Sequence, residues 1–97
     1  MIVTSISIFA WDPVPGAAGY QVRAKDSVQN VITPAPGVID VGTATSIPVS
    51  SLLDGQAPGS YTLEVRAVLA GGASPTPFSG LNVTIPALTP PANLRLE

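Results

Sequence analysis

The sequence predicts an all-β protein, built as an antiparallel two-sheet sandwich of about seven strands. Turn-forming residues recur at short, regular intervals, and the runs between them alternate apolar with polar residues, which is the two-residue period of a strand. The eleven prolines and nine glycines are spread along the chain, so that no apolar period of a helix continues without a breaker. Together these observations favour strands and nearly exclude helices.

The length of 97 residues suits one domain with one two-layer core. We place this domain at residues 1–86 and a proline-rich C-terminal tail, or strand-like arm, at residues 87–97. The predicted strands, in chain order, are residues 5–11, 19–25, 28–32, 38–41, 46–49, 61–69 and 81–85.

The first two predicted strands flank a turn that contains Pro13, Pro15 and Gly16. Prolines remove hydrogen-bond donors from a sheet and glycine permits a turn, so the first strand has to end here. In residues 19–25 the apolar side chains fall on one parity and the polar ones on the other, which predicts one face in water.

The middle of the chain predicts weaker strands. Residues 28–32 and 38–41 lie on either side of a stretch with Pro34, Pro36 and Gly37, and residues 46–49 lead into Leu52 and Leu53. Residues 61–69 have the clearest alternation in the chain and are expected to form a central strand. A glycine- and proline-rich loop then precedes the last strand. The residues expected in the core are Phe9, Trp11, Tyr20, Val22, Tyr61, Leu63, Val65 and Ala67.

Three segments carry a resemblance to a known family. Residues 9–13 (Phe-Ala-Trp-Asp-Pro), residues 16–24 with Tyr20, and residues 59–68 with Tyr61 resemble strands B, C and F of a fibronectin type III domain, in that order. The resemblance covers about residues 5–86. It implies an immunoglobulin-like sandwich with Trp11 and Tyr20 in the core. It also implies a tyrosine corner, in which the Tyr61 hydroxyl bonds to the backbone near residues 53–57.

The sequence departs from this family at both ends. Only residues 1–4 precede the first predicted strand, which resembles strand B of the family. The family's own first strand, strand A, is therefore missing or very short. Residues 87–96 look like the linker and strand A of a following domain. Three interpretations of this tail stay open: a tandem array interrupted inside its linker, a strand folded back on its own domain, or a strand that pairs with a neighbouring subunit.

The low charge content indicates a surface that is either unusually apolar or covered by a partner, and we favour the second. Charged residues make up 10% of the chain, whereas an ordinary soluble domain carries roughly 25%. Ile6 and Ile8 have the opposite parity to Phe9 and Trp11 and should face outward, either because a partner covers them or through simple β-propensity. The residues proposed for contact with a partner are Ile6, Ile8, Leu88, Leu94 and Leu96.

Several function classes conflict with the composition. The chain has neither His nor Cys, which removes the usual zinc ligands and the Ser-His and Cys-His pairs of nucleophilic catalysis. Its carboxylates lie mostly one per loop, and its four cations form no basic stripe for nucleic acid. No apolar run is long enough to insert into a membrane. We therefore expect no enzyme activity, no metal and no cofactor.

The sequence is most typical of a non-catalytic structural or interaction module. Fibronectin type III domains act as spacers and binding modules, so the resemblance implies the same class. The leading interpretation is a small subunit of a larger assembly, such as a bacteriophage head, tail or decoration protein, that associates with itself or with other proteins. The N-terminus shows no secretion signal, so we expect synthesis in the cytosol. Incorporation into a virion would follow only from the phage interpretation, which rests on analogy. The alternative is an accessory spacer or glycan-binding module cut from a secreted enzyme or adhesin.

Overall fold

A computed structural model of the protein describes residues 2–3, 7–72, 75–87 and 95–96. Its strands are β1 (Ile8–Ala10), β2 (Ala17–Lys25), β3 (Ile39–Gly42), β4 (Ser46–Pro48), β5 (Gly59–Leu69) and β6 (Ser79–Ile85). Between β4 and β5 lies one helical turn, α1 (Ser50–Leu53), and a 3₁₀ turn (Ala70–Gly72) follows β5. The strands form two antiparallel sheets, one of β1 and β4 and one in the order β3-β2-β5-β6. The predicted all-β, two-sheet architecture is thus confirmed.

Strand β5 is the central strand of the larger sheet, as its alternation predicted. It pairs with β2 on one side and β6 on the other, so that Leu63 lies opposite both Ala24 and Leu81. Tyr61, Leu63 and Ala67 are buried. Thr62, Glu64 and Arg66, which alternate with these inward positions, are half-buried and point to the outer face.

The core lies between the two sheets. Phe9 of β1 and Ile47 of β4 are cross-strand partners, and both are buried in the same apolar cluster as the inward side chains of the larger sheet. Leu63, Val22 and Val83 are the largest fully buried side chains. Burial of each such side chain contributes about 1.5 to 3 kcal/mol of hydrophobic stabilisation.

Two tyrosine hydroxyls fasten loops to this core. The Tyr61 hydroxyl donates a hydrogen bond of 2.6 Å to the carbonyl oxygen of Ala57, inside the stretch predicted for a tyrosine corner. The Tyr20 hydroxyl accepts a bond of 2.7 Å from the N–H of Val14, which holds the turn between β1 and β2. Each tyrosine thus buries an apolar ring in the core, while its hydroxyl group is hydrogen-bonded to the backbone at the edge of the core.

The sequence did not predict helix α1. It is a single turn in which the N–H groups of Leu52 and Leu53 both donate to the carbonyl oxygen of Val49. Leu52 and Leu53 are buried in the core cluster. A segment of four residues is too short to show a 3.6-residue period, so periodicity could not reveal it.

The prediction of a strand at residues 28–32 is wrong. The Asp26 carboxylate accepts the N–H groups of Val28 and Asn30, and Gln29 has a φ of 67°, so these residues form a turn. Val28 is 71% exposed. The side chain of Asp26 offers the backbone a local partner and competes with ladder formation. Only an isolated bridge between Lys25 and Val31 remains of the expected pairing.

Other boundaries also differ from the prediction. The part of the chain that the structure describes holds six strands rather than about seven, and β1 begins only at Ile8. Trp11 lies just beyond β1 and is partly buried, with its ring 5.4 Å from that of Phe9 and 5.7 Å from that of Tyr20. Its position past the end of the strand explains why it packs against the core rather than inside it. Val65 is likewise partly buried.

Candidate interaction surface

Strand β1 uses one of its two edges to pair with β4. The Trp11 N–H donates to the carbonyl oxygen of Thr45 at 3.0 Å, and the Val49 N–H donates to that of Ser7 at 2.9 Å. In an antiparallel pair, alternate residues of a strand turn their backbone groups toward the partner and away from it. Residues 7, 9 and 11 therefore face β4.

The remaining backbone groups of β1 form what we call the β1 edge, namely the N–H and C=O groups of Ile8 and Ala10. They point away from β4 because their residues alternate with those that face it. Within the described ranges, β1 pairs with β4 and with no other strand. A row of such groups is a template for pairing with a further strand.

The outer face of the small sheet carries no charge. The side chains opposite to the core are those of Ile8, Ala10, Ser46 and Pro48, and all four residues are exposed. Ile8 is 59% exposed although it is a large apolar residue in a regular strand. An added strand would therefore meet unpaired backbone groups at the edge and an apolar side chain beside them.

The other edges of the two sheets are protected. In β4, Pro48 lies opposite Ile8, so its backbone nitrogen lies on the outer edge, and it has no N–H to offer there. Strand β3 has a register shift against β2 and carries the charged Asp40. Bulges, charge and proline are devices that prevent further strand pairing.

The edge of β6 is partly covered by the chain itself. Ile2 forms a parallel bridge with Thr84, and the Val3 N–H donates to the Thr84 carbonyl oxygen at 3.0 Å. Val3 is buried, whereas Ile2 is 68% exposed. Sequence reasoning missed this contact, since two residues are too few to show a period. The segment expected to be a missing or very short first strand thus contributes a bridge to β6.

The residues predicted for contact with a partner have different outcomes. Ile8 lies on β1 with an exposed side chain, as its parity predicted, and Leu96 is fully exposed. Ile6, Leu88 and Leu94 lie outside the described residues. The structure does not bring Ile8 and Leu96 into contact in any interaction that it describes.

A second group of polar side chains covers the outer face of the larger sheet. Arg23 Nε donates to Glu64 Oε1 at 2.7 Å, and Lys25 Nζ lies 3.5 Å from the same oxygen. Opposite Glu64 on β6 stands Gly80, where a Cβ would come within 3.5 Å of Glu64 Cγ and 3.1 Å of Thr62 Cγ2. The absence of a side chain at Gly80 therefore leaves room for the Thr62 methyl group, while a Cβ would be only in ordinary contact with Glu64.

Phe78 links this group to the other end of the face. Its ring centre lies 3.7 Å from Arg23 Cζ and 4.7 Å from Arg66 Cζ. Arg66 also donates through Nε and Nη2 to Gln21 Oε1, at 3.0 and 2.8 Å. Alternation along the strands indicated a wet face here, but the stacking depends on cross-strand register and on the loop before β6. We call Gln21, Arg23, Lys25, Glu64, Arg66 and Phe78 the cationic face.

The larger sheet also borders a surface depression. An open depression of about 280 Å³ lies where β2 ends and β5 begins, and it is lined by residues such as Asp26, Thr62 and Asn82. Among the residues that the structure describes, no group of three or more His, Cys, Asp or Glu side chains could hold a metal ion. No helix in these ranges has the length and apolar character needed to cross a membrane.

Comparison with known proteins finds no protein-family model that matches the chain. It also finds no solved structure that matches.

Proposed function

We propose that this chain is a non-catalytic assembly subunit that associates with further copies of itself by adding a strand at the β1 edge. The observation that carries the proposal is the contrast between the sheet edges. Pro48 and the charged, irregular β3 protect two edges and residues 2–3 partly cover a third, whereas β1 consists of Ile8, Phe9 and Ala10, with no charge and no proline. Natural proteins rarely leave such a strand open without a use for it.

Removal of the Ile8 side chain from water would favour strand addition at the β1 edge. Each side chain the size of isoleucine that is removed from water contributes about 1.5 to 3 kcal/mol before the cost of association. Ile8 is 59% exposed, so only part of this term is already realised in the single chain. Backbone hydrogen bonds to Ile8 and Ala10 would add orientation and register.

We further propose a fibronectin type III-like sandwich as the scaffold. The ordered motifs around Trp11, Tyr20 and Tyr61 support this assignment, and so does the bond from the Tyr61 hydroxyl to the carbonyl oxygen of Ala57. A head, tail or decoration subunit of a bacteriophage particle is the kind of role that a small, weakly charged sandwich of this type would fill. This step rests on analogy with phage proteins of similar size and composition.

The strand that pairs with β1 is proposed to come from the C-terminal tail of a neighbouring copy. In that segment Leu94, Arg95 and Leu96 alternate apolar and charged side chains, and Leu96 is fully exposed. An alternating segment matches the period-two surface beside Ile8. The repeated use of one tail and one edge would give a ring if the rotation closes and a filament if it does not.

The test is the solution mass of the protein, measured by light scattering during size exclusion, for the natural chain and for Ile8→Lys. Lysine at an edge position opposes strand addition, and the exposed side chain at residue 8 leaves room for it. We expect a defined, concentration-dependent oligomer for the natural chain and a monomer for Ile8→Lys.

The matched control is Val28→Lys, which makes a similar apolar-to-lysine change at a residue that is 71% exposed in a turn. This variant should keep the mass of the natural chain. A monomeric natural chain at all concentrations would contradict self-association and favour an accessory module or a different partner. An unchanged oligomer in Ile8→Lys would exclude the β1 edge.

A further inference from the structure

The cationic face holds most of the positively charged side chains of the molecule. Three of the four cations of the chain, Arg23, Lys25 and Arg66, lie on it, although the net charge of the whole chain is -2. Glu64 is the carboxylate among them, and its Oε1 serves both Arg23 and Lys25. Asp40 lies across from Gln21 at the margin, on β3. The centre of the face therefore keeps an excess of positive charge.

Arg66 is the cation of this face whose charge is least neutralised by nearby carboxylates. Its bonds go to the neutral amide oxygen of Gln21, and no carboxylate lies within ion-pair distance of it among the residues that the structure describes. The third nitrogen of its guanidinium, Nη1, takes part in neither of these two bonds. A guanidinium is well suited to bind a carboxylate through two parallel N–H groups.

The side chains of the face are already held in place. Phe78 lies against the guanidiniums of both Arg23 and Arg66, and the Arg23 and Glu64 side chains are only 23% and 13% exposed. Side chains fixed before binding lose less conformational entropy when a partner arrives. Arginine and aromatic residues in such settings are also those that dominate the energetics of protein interfaces.

From these observations we propose that the cationic face is a second docking surface, which binds an acidic segment of a partner protein through carboxylates placed beside Phe78, at Arg66 and Arg23. Charge complementarity selects this partner. A nucleic acid fits less well, because a phosphate backbone requires a longer row of uncompensated cations than this face offers. The face belongs to the sheet opposite to β1, so this proposal does not depend on the strand addition proposed above.

The test is an NMR titration of the full chain with hexaglutamate at low salt, followed through the side-chain Nε–H signals of the arginines. We expect the signals of Arg23 and Arg66 to shift together and the shifts to vanish in 0.5 M NaCl, because the contacts are between partly exposed charges. Arg66→Gln should weaken hexaglutamate binding about fivefold to tenfold, the worth of one charge-assisted contact. Arg66→Lys keeps the charge but not the planar guanidinium, so its affinity for hexaglutamate should lie between those of the natural chain and of Arg66→Gln.

The matched control is Val28→Glu, which changes the net charge of the chain by the same amount in a turn beyond the end of β2. Hexaglutamate affinity should change less than twofold in this variant. Equal losses in Val28→Glu and Arg66→Gln would overturn the proposal, because the effect would then follow net charge. Shifts confined to other residues would overturn it, as would tighter binding of a hexanucleotide than of hexaglutamate. If Arg66→Gln fails to fold, the location of the shifts in the natural chain decides alone.

Discussion

The contribution of a side chain to the stability of this protein depends on its position in its strand. Leu63 and Leu81 are cross-strand partners on the inner face of β5 and β6, yet Leu63 is fully buried and Leu81 is 37% exposed. Val83, two residues further along the same edge strand, is fully buried, so the difference reflects the position of Leu81 along β6, at the rim of the core. The same residue type therefore carries a different stability contribution at the two positions.

This pair gives a direct prediction for the free energy of unfolding. Leu63→Ala should lower it by about 3 kcal/mol, because the buried methyl groups leave a cavity that the two sheets cannot close. Leu81→Ala should lower it by about 1 kcal/mol or less, since much of the lost surface is already in water. Urea denaturation followed by tryptophan fluorescence measures both. Equal losses for the two variants would contradict the placement of Leu81 at the rim of the core.

At the scale of elements, the ion pairs on the outer face connect β2 to β5. Glu64→Gln keeps the shape of the side chain but removes the charge that Arg23 and Lys25 share. We expect the free energy of unfolding to fall by about 0.5 to 1 kcal/mol, with the loss shrinking in 1 M NaCl as salt screens the remaining cations. Asp54→Asn, an equal change in charge at an exposed residue, is the control and should have no measurable effect. A loss that is independent of salt would show that packing of Glu64, not its charge, is what matters.

Elements with strong alternation were predictable from the sequence, whereas those fixed by local hydrogen bonds or by tertiary contacts were not. Residues 61–69 gave the central strand because their period of two extends over many residues. Residues 28–32 look equally apolar, but Asp26 captures the N–H groups of Val28 and Asn30 and makes a turn. The exposure of Ile8 followed from parity. The contact of Phe78 with two arginines follows from pairing across strands, which a sequence alone does not contain.

At the scale of the whole molecule, the two sheets present different surfaces. The small sheet shows an uncharged outer face and the β1 edge, and the larger sheet shows the cationic face. A subunit with two distinct surfaces on opposite sides can contact like subunits through one and an acidic partner through the other. Backbone pairing at β1 should tolerate salt, whereas binding at the cationic face should not. The two contacts can therefore be measured separately.

The most direct test of strand addition at β1 is residue-resolved amide hydrogen exchange of the natural chain over a range of protein concentrations. We predict that the amides of Ile8 and Ala10 exchange quickly in dilute protein and slow down as the concentration rises, while the amide of Phe9, which faces β4, stays protected throughout. In Ile8→Lys the concentration dependence at Ala10 should disappear. If the exchange of Ile8 and Ala10 does not change with concentration while the mass of the particle increases, association uses another surface and the proposed role of β1 is wrong.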